Sequence, residues 1–218
     1  MLSISGLQVD IAGTAVLRDV SCRFERGHAY GIVGRNGAGK TTLMRALMGV
    51  LPTRGGAIDF DGTEITRLPA SQRLRLGFGY MPEDRRLVPN LSVEENVLMP
   101  LTSLGRKDPA RLEWVYSLIP EVKEFRARLP SLLSGGQQKL VALSRALVAG
   151  TRVLLLDEPT EGVAPLVQVR IRKILAEVGN EDRLVLVAES NSKYVSGLAD
   201  RVHFIERGRI APDTRAPS

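Results

Sequence analysis

The sequence contains the stretch Gly34-Arg35-Asn36-Gly37-Ala38-Gly39-Lys40-Thr41-Thr42. It matches the P-loop pattern, which is a glycine, four residues and then Gly-Lys-Thr. The apolar run 28–33 before it predicts a buried strand, and Leu43 and Leu47 after it recur at helical spacing. Glycines let backbone N–H groups converge on an anion, and a helix start adds its positive dipole end. We therefore expect the whole stretch to bind nucleotide phosphates, with Lys40 at the β- and γ-phosphates and Thr41 at Mg²⁺. The alternative is a glycine-rich turn with a surface lysine.

Apolar runs with strand and helix periodicity alternate along the chain. Strands are predicted at Leu2–Val9, Ala15–Phe24, Ala29–Val33, Gly55–Phe60, Phe78–Met81, Arg152–Leu156, Leu184–Ala188 and Val202–Ile205. Helices are predicted after the P-loop, at Pro69–Leu76, from Ser92, at Pro109–Ile119, from about Gly136, around Val167–Leu175 and at Lys193–Ala199. This order predicts an α/β fold. It comprises a P-loop ATPase core with a mixed, mainly parallel sheet, an N-terminal antiparallel β subdomain and a helical insertion subdomain.

We expect one ATPase domain over residues 1–211, followed by a tail at 212–218. Residues 1–84 and 134–211 would form the core with its antiparallel flap, and residues 85–133 the helical subdomain.

The composition is that of an ordinary globular protein: of 218 residues, 44% are hydrophobic and 25% are charged. Cys22 is the only cysteine, which excludes an intrachain disulfide and predicts a buried thiol. No apolar run is long enough to cross a bilayer and no signal-type segment begins the chain, so we expect a cytosolic location unless a partner holds it. The net charge of +6 suggests an anionic neighbour, although the basic residues are dispersed.

An acidic pair follows the apolar strand at residues 152–156. Asp157 is placed where a carboxylate can hold Mg²⁺ opposite Thr41, directly or through water. Glu158 is one residue further on and can orient or deprotonate an attacking water. Pro159 ends the strand. An acidic turn at a sheet edge is the alternative, but the apolar strand and the upstream P-loop favour an active site.

A second glycine-rich helix start lies at Ser134-Gly135-Gly136-Gln137. Ser134 is a good helix N-cap, and the glycines let backbone N–H groups approach an anion. Such a stretch alone is common in loops. Its place shortly before Asp157 makes it specific and predicts a second phosphate-binding surface.

Together, the P-loop, residues 133–138 and residues 153–159 resemble the ATPase subunit of an ATP-binding cassette (ABC) transporter. The resemblance covers essentially the whole chain and implies ATP and Mg²⁺ as ligands. It implies a head-to-tail dimer, in which Ser134, Gly135, Gly136 and Gln137 complete the partner's site. Lys40 and Glu158 would serve this chain's own site.

A narrower resemblance is carried by residues 81–86, 91–96 and 161–165. They are similar to the second ATPase subunit of importers for branched-chain amino acids, urea or short amides. This implies a second ATPase subunit, identical or not, two transmembrane permease subunits and, indirectly, a solute-binding protein. It also implies a peripheral position on the cytoplasmic face of the inner membrane and no nucleic-acid partner.

The chain departs from the family pattern at several positions. Most relatives have glutamine at Glu83, where a carboxylate could ligate the metal. Ser190 stands where a histidine usually contacts the γ-phosphate, and such a lost contact typically costs about 2–4 kcal/mol. Ala164 replaces an aspartate that bridges the subunits. Ile11 or Ala12 replaces the aromatic ring that stacks on adenine.

Three hypotheses for the function follow. In the first, the chain is the ATP-hydrolysing subunit of an importer, with Glu158, Lys40 and Ser190 in its catalytic centre. In the second, it binds ATP with weak or no hydrolysis and supports a paired ATPase subunit. The third, motivated by the charge of +6, is an ABC ATPase acting on nucleic acid or ribosomes. It is disfavoured because such proteins usually carry two cassettes or a long insertion.

Overall fold

A computed structural model of the chain describes residues 1–179 and 182–211. Within these residues the strands are β1 (Leu2–Ile11), β2 (Thr14–Phe24), β3 (Ala29–Val33), β4 (Gly55–Phe60), β5 (Thr63–Glu64), β6 (Phe78–Met81), β7 (Val153–Asp157), β8 (Leu184–Glu189), β9 (Arg201–Glu206) and β10 (Arg209–Ile210). The α-helices are α1 (Lys40–Leu47), α2 (Ala70–Arg75), α3 (Val93–Ser103), α4 (Pro109–Leu118), α5 (Pro120–Glu124), α6 (Gly135–Ala149) and α7 (Pro165–Gly179).

The strands form two sheets. The smaller sheet is antiparallel, with the order β2-β1-β4-β5. The larger sheet has the order β10-β9-β3-β8-β7-β6, and every pairing in it is parallel except that of β10 with β9. The fold class predicted from the sequence, a mainly parallel core sheet with an antiparallel β flap, is therefore confirmed.

The central strands β3, β7 and β8 are buried along their whole length. Their continuous apolar runs suit a parallel sheet that is covered on both faces. Because side chains alternate across a strand, Val153 and Leu155 of β7 join the core shared with α1 and the smaller sheet. Leu154 and Leu156 join the core shared with α3, α6 and α7. Because β3, β7 and β8 run parallel, their carboxyl ends lie at the same edge of the sheet.

The helices α3 to α5 pack against α6. Helix α3 begins with a capping box, in which Ser92 and Glu95 each accept a backbone N–H from the other. Residues 93–124 are thus largely helical, as the sequence predicts. The division of the chain into a core and a helical subdomain stays a prediction.

The helix predicted at Lys193–Ala199 is wrong. A single 3-10 turn at Ser192–Tyr194 is followed by further turns. Gly197 has a φ of +72°, which lies outside the helical region, so the apolar spacing there does not continue as a helix. The tail predicted at 212–218 lies outside the described residues.

Cys22 is partly buried and packs against the core of the smaller sheet. Burial raises the pKa of its thiol to about 12, which keeps the thiol protonated at neutral pH. No helix in the part of the chain that the structure describes combines the length and apolarity needed to cross a membrane.

Candidate nucleotide-binding site

The loop between β3 and α1 has the backbone shape that its glycines predict. Gly37 and Gly39 have φ values of +79° and +112°, and Gly39 is the N-cap of α1 in a left-handed conformation. A Cβ on Gly34 would lie 2.3 Å from the carbonyl oxygen of Ile205. No side chain caps the start of α1, whose residues are all described. Its free N–H groups and dipole therefore point toward a space suited to phosphate.

Lys40 lies across this loop and is only 4% exposed. Its ammonium donates to the carbonyl oxygens of Gly34 at 2.7 Å and Arg35 at 3.3 Å. It also forms an ion pair with Glu158 Oε1 at 3.0 Å. The predicted phosphate-binding lysine and the predicted catalytic carboxylate thus lie in direct contact.

Asp157 ends β7 beneath the same loop and is fully buried. Its two carboxylate oxygens accept from Thr41 Oγ1 at 3.1 Å and from the Tyr80 hydroxyl at 3.4 Å. The pKa of Asp157 is raised to about 6, mainly by burial; the carboxylates of Glu83 and Glu158 contribute to the rise, and the Thr41 hydrogen bond opposes it. A cation at this position would relieve the unfavourable burial of that charge.

Glu158 follows in a sharp turn with a φ of +49°. Within the described residues its Oε2 atom is buried and accepts no hydrogen bond. One carboxylate oxygen each from Glu83, Glu158 and Glu161 lie within 4.8 Å of one another. Hydroxyl and carboxylate oxygens are the ligands that Mg²⁺ prefers, so the predicted metal ligands Thr41, Asp157 and Glu83 have suitable chemistry, and of the three Glu83 belongs to this carboxylate cluster.

A cavity of about 450 Å³ has four of these groups in its lining, but Asp157 is not among its lining residues. It is lined by Val16, Asn36, Gly37, Gly39, Lys40, Thr41, Thr42, Glu83 and Glu158. Val16 is an apolar lining residue that sequence reasoning missed. Ile11 and Ala12, one of which the resemblance places at the adenine, are not among these lining residues, and both are exposed.

Ser190 lies beside the P-loop but in a different cavity from Lys40. It lines a neighbouring cavity of about 590 Å³ with residues 33–38 and 204–207. The structure brings Ser190 to the loop backbone, but among the described residues it does not line the cavity that holds Lys40 and Glu158.

The Ser134 stretch forms the start of α6, as predicted. The Ser134 hydroxyl accepts from the Gln137 N–H at 3.3 Å, and Gln137 Oε1 accepts from the Ser134 N–H at 2.9 Å. Ser134 and Gly135 are exposed, whereas a Cβ on Gly136 would lie 2.9 Å from Val167. Within the described part of the chain, Ser134–Gln137 line neither cavity beside the P-loop. They form a separate surface.

Two buried residues around Glu158 escaped the sequence reasoning. Lys139 is 3% exposed and donates to the Glu158 carbonyl oxygen at 2.6 Å. Glu189 is fully buried, and its Oε1 accepts from Thr160 Oγ1 at 2.7 Å and from Thr160 N at 3.2 Å. Lys139 follows two glutamines and Glu189 precedes Ser190 and Asn191, so a charged residue at either position is ordinary in the sequence and does not signal a contact with the Glu158 turn.

The fold and the site define a nucleotide-binding ATPase cassette of the P-loop class. The sequence model of the ABC transporter family matches residues 17–161, and the chain belongs to that family. It is an ABC ATPase, the ATP-binding subunit of a transporter.

The chain is similar over most of its length to ATP-binding proteins of different transport systems. It is 35% identical over 211 residues to the high-affinity branched-chain amino acid transport ATP-binding protein BraG of Pseudomonas aeruginosa, covering 96% of this chain and 91% of BraG. It is 30% identical over 217 residues to the lipopolysaccharide export system ATP-binding protein LptB of Escherichia coli K12, covering 96% of this chain and 88% of LptB.

Solved structures share the fold. A nucleotide-free ATP-binding cassette from an ABC transporter is similar with a TM-score of 0.84 and 25% identity, covering 100% of this chain and 92% of that chain. A dimeric post-hydrolysis cassette bound to ADP and phosphate is similar with a TM-score of 0.88, 21% identity and full coverage of both chains. At that identity the second likeness concerns the fold.

Proposed function

We propose that this chain binds Mg–ATP at the P-loop and hydrolyses it to drive import of branched-chain amino acids or of related amino acid, amide or urea cargo. The observation that carries the proposal is the meeting of Lys40, Thr41, Asp157 and Glu158 at the carboxyl ends of β3 and β7. Each offers the chemistry that one part of phosphoryl transfer to water requires.

Each part of the candidate site has a separate role in the proposed reaction. Residues 34–42 hold the phosphates through backbone N–H groups, and Lys40 adds a positive charge. Thr41, Asp157 and Glu83 would hold Mg²⁺, which would supply positive charge that neutralises the phosphates. Glu158 accepts a proton from the attacking water, since its Oε2 atom has no partner within the described residues.

In the absence of nucleotide, the ion pair with Lys40 would restrain the Glu158 carboxylate from accepting a proton from water. The two form an ion pair at 3.0 Å, and the phosphates would compete for the same ammonium. Binding of Mg–ATP would therefore release Glu158 toward the water. Nucleotide binding would thus make the Glu158 carboxylate available as the general base.

The partner proposal starts from the separate position of the Ser134 surface. Since Ser134–Gln137 line neither cavity beside the P-loop, they are available to a nucleotide held by another ATPase subunit. A solved cassette of the same fold is dimeric, which supports this arrangement. Two permease subunits in the membrane would then hold the dimer at the cytoplasmic face.

The cargo proposal rests on the similarity to BraG, whose name assigns it to branched-chain amino acid transport, together with residues 81–86, 91–96 and 161–165. LptB belongs to a lipopolysaccharide export system and is nearly as similar, so the transport direction needs its own experiment. Uptake of labelled leucine, urea and acetamide into cells with and without this chain tests it. Normal uptake of all three in its absence would refute the cargo assignment.

Hydrolysis is tested with the Glu158→Gln variant of the full chain. The Gln side chain keeps the shape of Glu158 but cannot take a proton. We expect the phosphate release rate to fall at least 100-fold while Mg–ATP binding changes less than threefold. Unchanged turnover would remove Glu158 from the proposed role.

A second candidate function is that of a nucleotide-binding subunit with weak turnover that supports its partner. Ser190 motivates it, because a short serine that lines a different cavity from Lys40 is a poor substitute for a histidine at the γ-phosphate. The test compares Lys40→Met in this chain with the same change in the partner ATPase. Similar losses of turnover favour an active site in both chains, whereas a loss confined to the partner variant favours the supporting role.

A further inference from the structure

Lys139 connects three segments of the site through one ammonium group. It lies on α6, two residues after Gln137 and at the first buried turn of that helix. Its Nζ donates to the carbonyl oxygen of Glu158 at 2.6 Å and to that of Glu83 at 3.3 Å. The helix that begins at Ser134 is therefore tied directly to the proposed catalytic base and to the Glu83 segment.

The burial of this lysine needs a reason, because an apolar side chain would fit the surrounding helix. From residue 139 to residue 149 every side chain of α6 is buried. Burial lowers the pKa of Lys139, and repulsion from Arg85 adds to that effect. The carboxylates of Glu189, Glu83 and Glu158 act in the opposite direction and favour the charge. A buried charge without such compensation is strongly destabilising, so the two carbonyl contacts are part of what keeps it there.

The hydrogen bond from Lys139 is made to the backbone of Glu158, which has an unfavourable conformation. A φ of +49° is unfavourable for a residue with a side chain and persists only where neighbours hold it. Lys139 holds the Glu158 carbonyl oxygen on one side of the turn. Glu189 holds the N–H and hydroxyl of Thr160 on the other side. With the turn held by these hydrogen bonds on both sides, the Glu158 carboxylate contacts Lys40.

We propose that Lys139 is a positioning residue that fixes Glu158 and the Glu83 segment relative to the start of α6. The inference rests on the proposed function, in which α6 contacts the partner subunit's nucleotide. A shift of α6 on engaging that nucleotide would then move the base of this chain's own site. Lys139 would link the two nucleotide sites of a dimer without touching either nucleotide.

The chain offers a matched control in Arg145. It is also a buried cation on α6, and it donates to the carbonyl oxygens of Arg86, at 2.7 Å, and Arg85. It therefore holds a neighbouring part of the same loop but makes no hydrogen bond to Glu158 among the contacts of the described residues. Comparing the two separates support of the loop from positioning of the base.

The experiment measures steady-state hydrolysis and Mg–ATP binding for the full chain, Lys139→Met and Arg145→Met. For Lys139→Met we expect kcat to fall about 10- to 100-fold, because misplacing a catalytic group by about 1 Å has an effect of that size. The KM and Kd for Mg–ATP should stay within twofold, since the P-loop contacts are intact. For Arg145→Met we expect a lower Tm and a kcat within threefold of the wild-type value.

A kcat within twofold of wild type for Lys139→Met would overturn the inference, and so would equal losses in both variants. If Lys139→Met does not fold, Lys139→Gln keeps an N–H donor and should still lower kcat at least fivefold with KM unchanged. Different results would refute the proposed function. It fails if the wild-type chain does not hydrolyse ATP or if Glu158→Gln hydrolyses it normally.

Discussion

We predict that removing Lys40 and removing Glu158, the two partners of the buried ion pair, change the stability of the nucleotide-free protein by different amounts. Their side chains are 4% and 5% exposed, so water screens the pair very little. Lys40→Met leaves a buried carboxylate without its cation. Glu158→Gln leaves Lys40 with two further acceptors, the carbonyl oxygens of Gly34 at 2.7 Å and Arg35 at 3.3 Å. The first change should therefore destabilise the protein much more than the second.

The expected sizes follow from the burial. Removing one partner of a buried pair costs about 3–5 kcal/mol, and Lys40→Met should lie near the lower end because the Lys139 ammonium remains close to Glu158. Glu158→Gln should cost about 1 kcal/mol, as for one neutral hydrogen bond replacing a charged one. With both charges gone, the double variant should lose only about 2 kcal/mol, which gives a coupling free energy of about 2 kcal/mol.

The assay is urea denaturation of wild type, both single variants and the double variant, at pH 7.5 without nucleotide. Equal m-values across the four proteins show that the free energies of unfolding are comparable. Single-variant effects that add to within about 0.5 kcal/mol would refute the reasoning, because independent sites add to that accuracy. A Glu158→Gln cost larger than that of Lys40→Met would refute it too.

Further predictions concern Asp157 and the glycines of the P-loop. The pKa of Asp157 is raised from its ordinary value of 3.8 to about 6, so the metal-free folded protein binds a proton that the unfolded chain has lost, and stability should fall as the pH rises through that window. Asp157→Asn should remove the fall and stabilise the metal-free protein at pH 7 by about 2–3 kcal/mol, measured by urea denaturation, while wild-type Mg–ATP affinity measured by calorimetry should drop up to about tenfold per unit below pH 6. An equal pH dependence in both proteins would contradict this. Gly34→Ala should lower Tm severely because its Cβ would meet the Ile205 carbonyl oxygen at 2.3 Å, whereas Gly37→Ala meets nothing within 4 Å and should cost only about 1 kcal/mol for its φ of +79°. Equal Tm values for the two variants would contradict the close approach at Gly34.

The sequence predicts the local structure around the candidate site wherever the residue pattern and its chemistry agree. Between β3 and α1 the glycines dictate the loop, and the apolar run before Asp157 dictates a buried strand that ends in a carboxylate. Ser134 caps α6 as its residue type predicts. These features depend on neighbours in the sequence, which is why one chain suffices to predict them.

The parts that were missed depend on contacts between distant segments. Lys139 and Glu189 matter because α6 and β8 pack around the Glu158 turn, and their spacing in sequence contains no trace of it. The false helix at Lys193–Ala199 arose because apolar spacing outweighed Gly197 in the reasoning. Ser190 was placed by resemblance to the family, and only the fold shows that it lines a different cavity from Lys40.

The central claim is that Lys40 and Ser134 act on nucleotides in different sites of a dimer. Its most direct test mixes two inactive variants of this chain, Lys40→Met and Ser134→Asp, the latter keeping a good helix cap while repelling phosphate. In a random mixture half of the dimers pair the two variants, and each of those has one intact site, so we predict recovery of up to about a quarter of wild-type turnover. No recovery, in a mixture that sedimentation shows to contain dimers, would contradict the account.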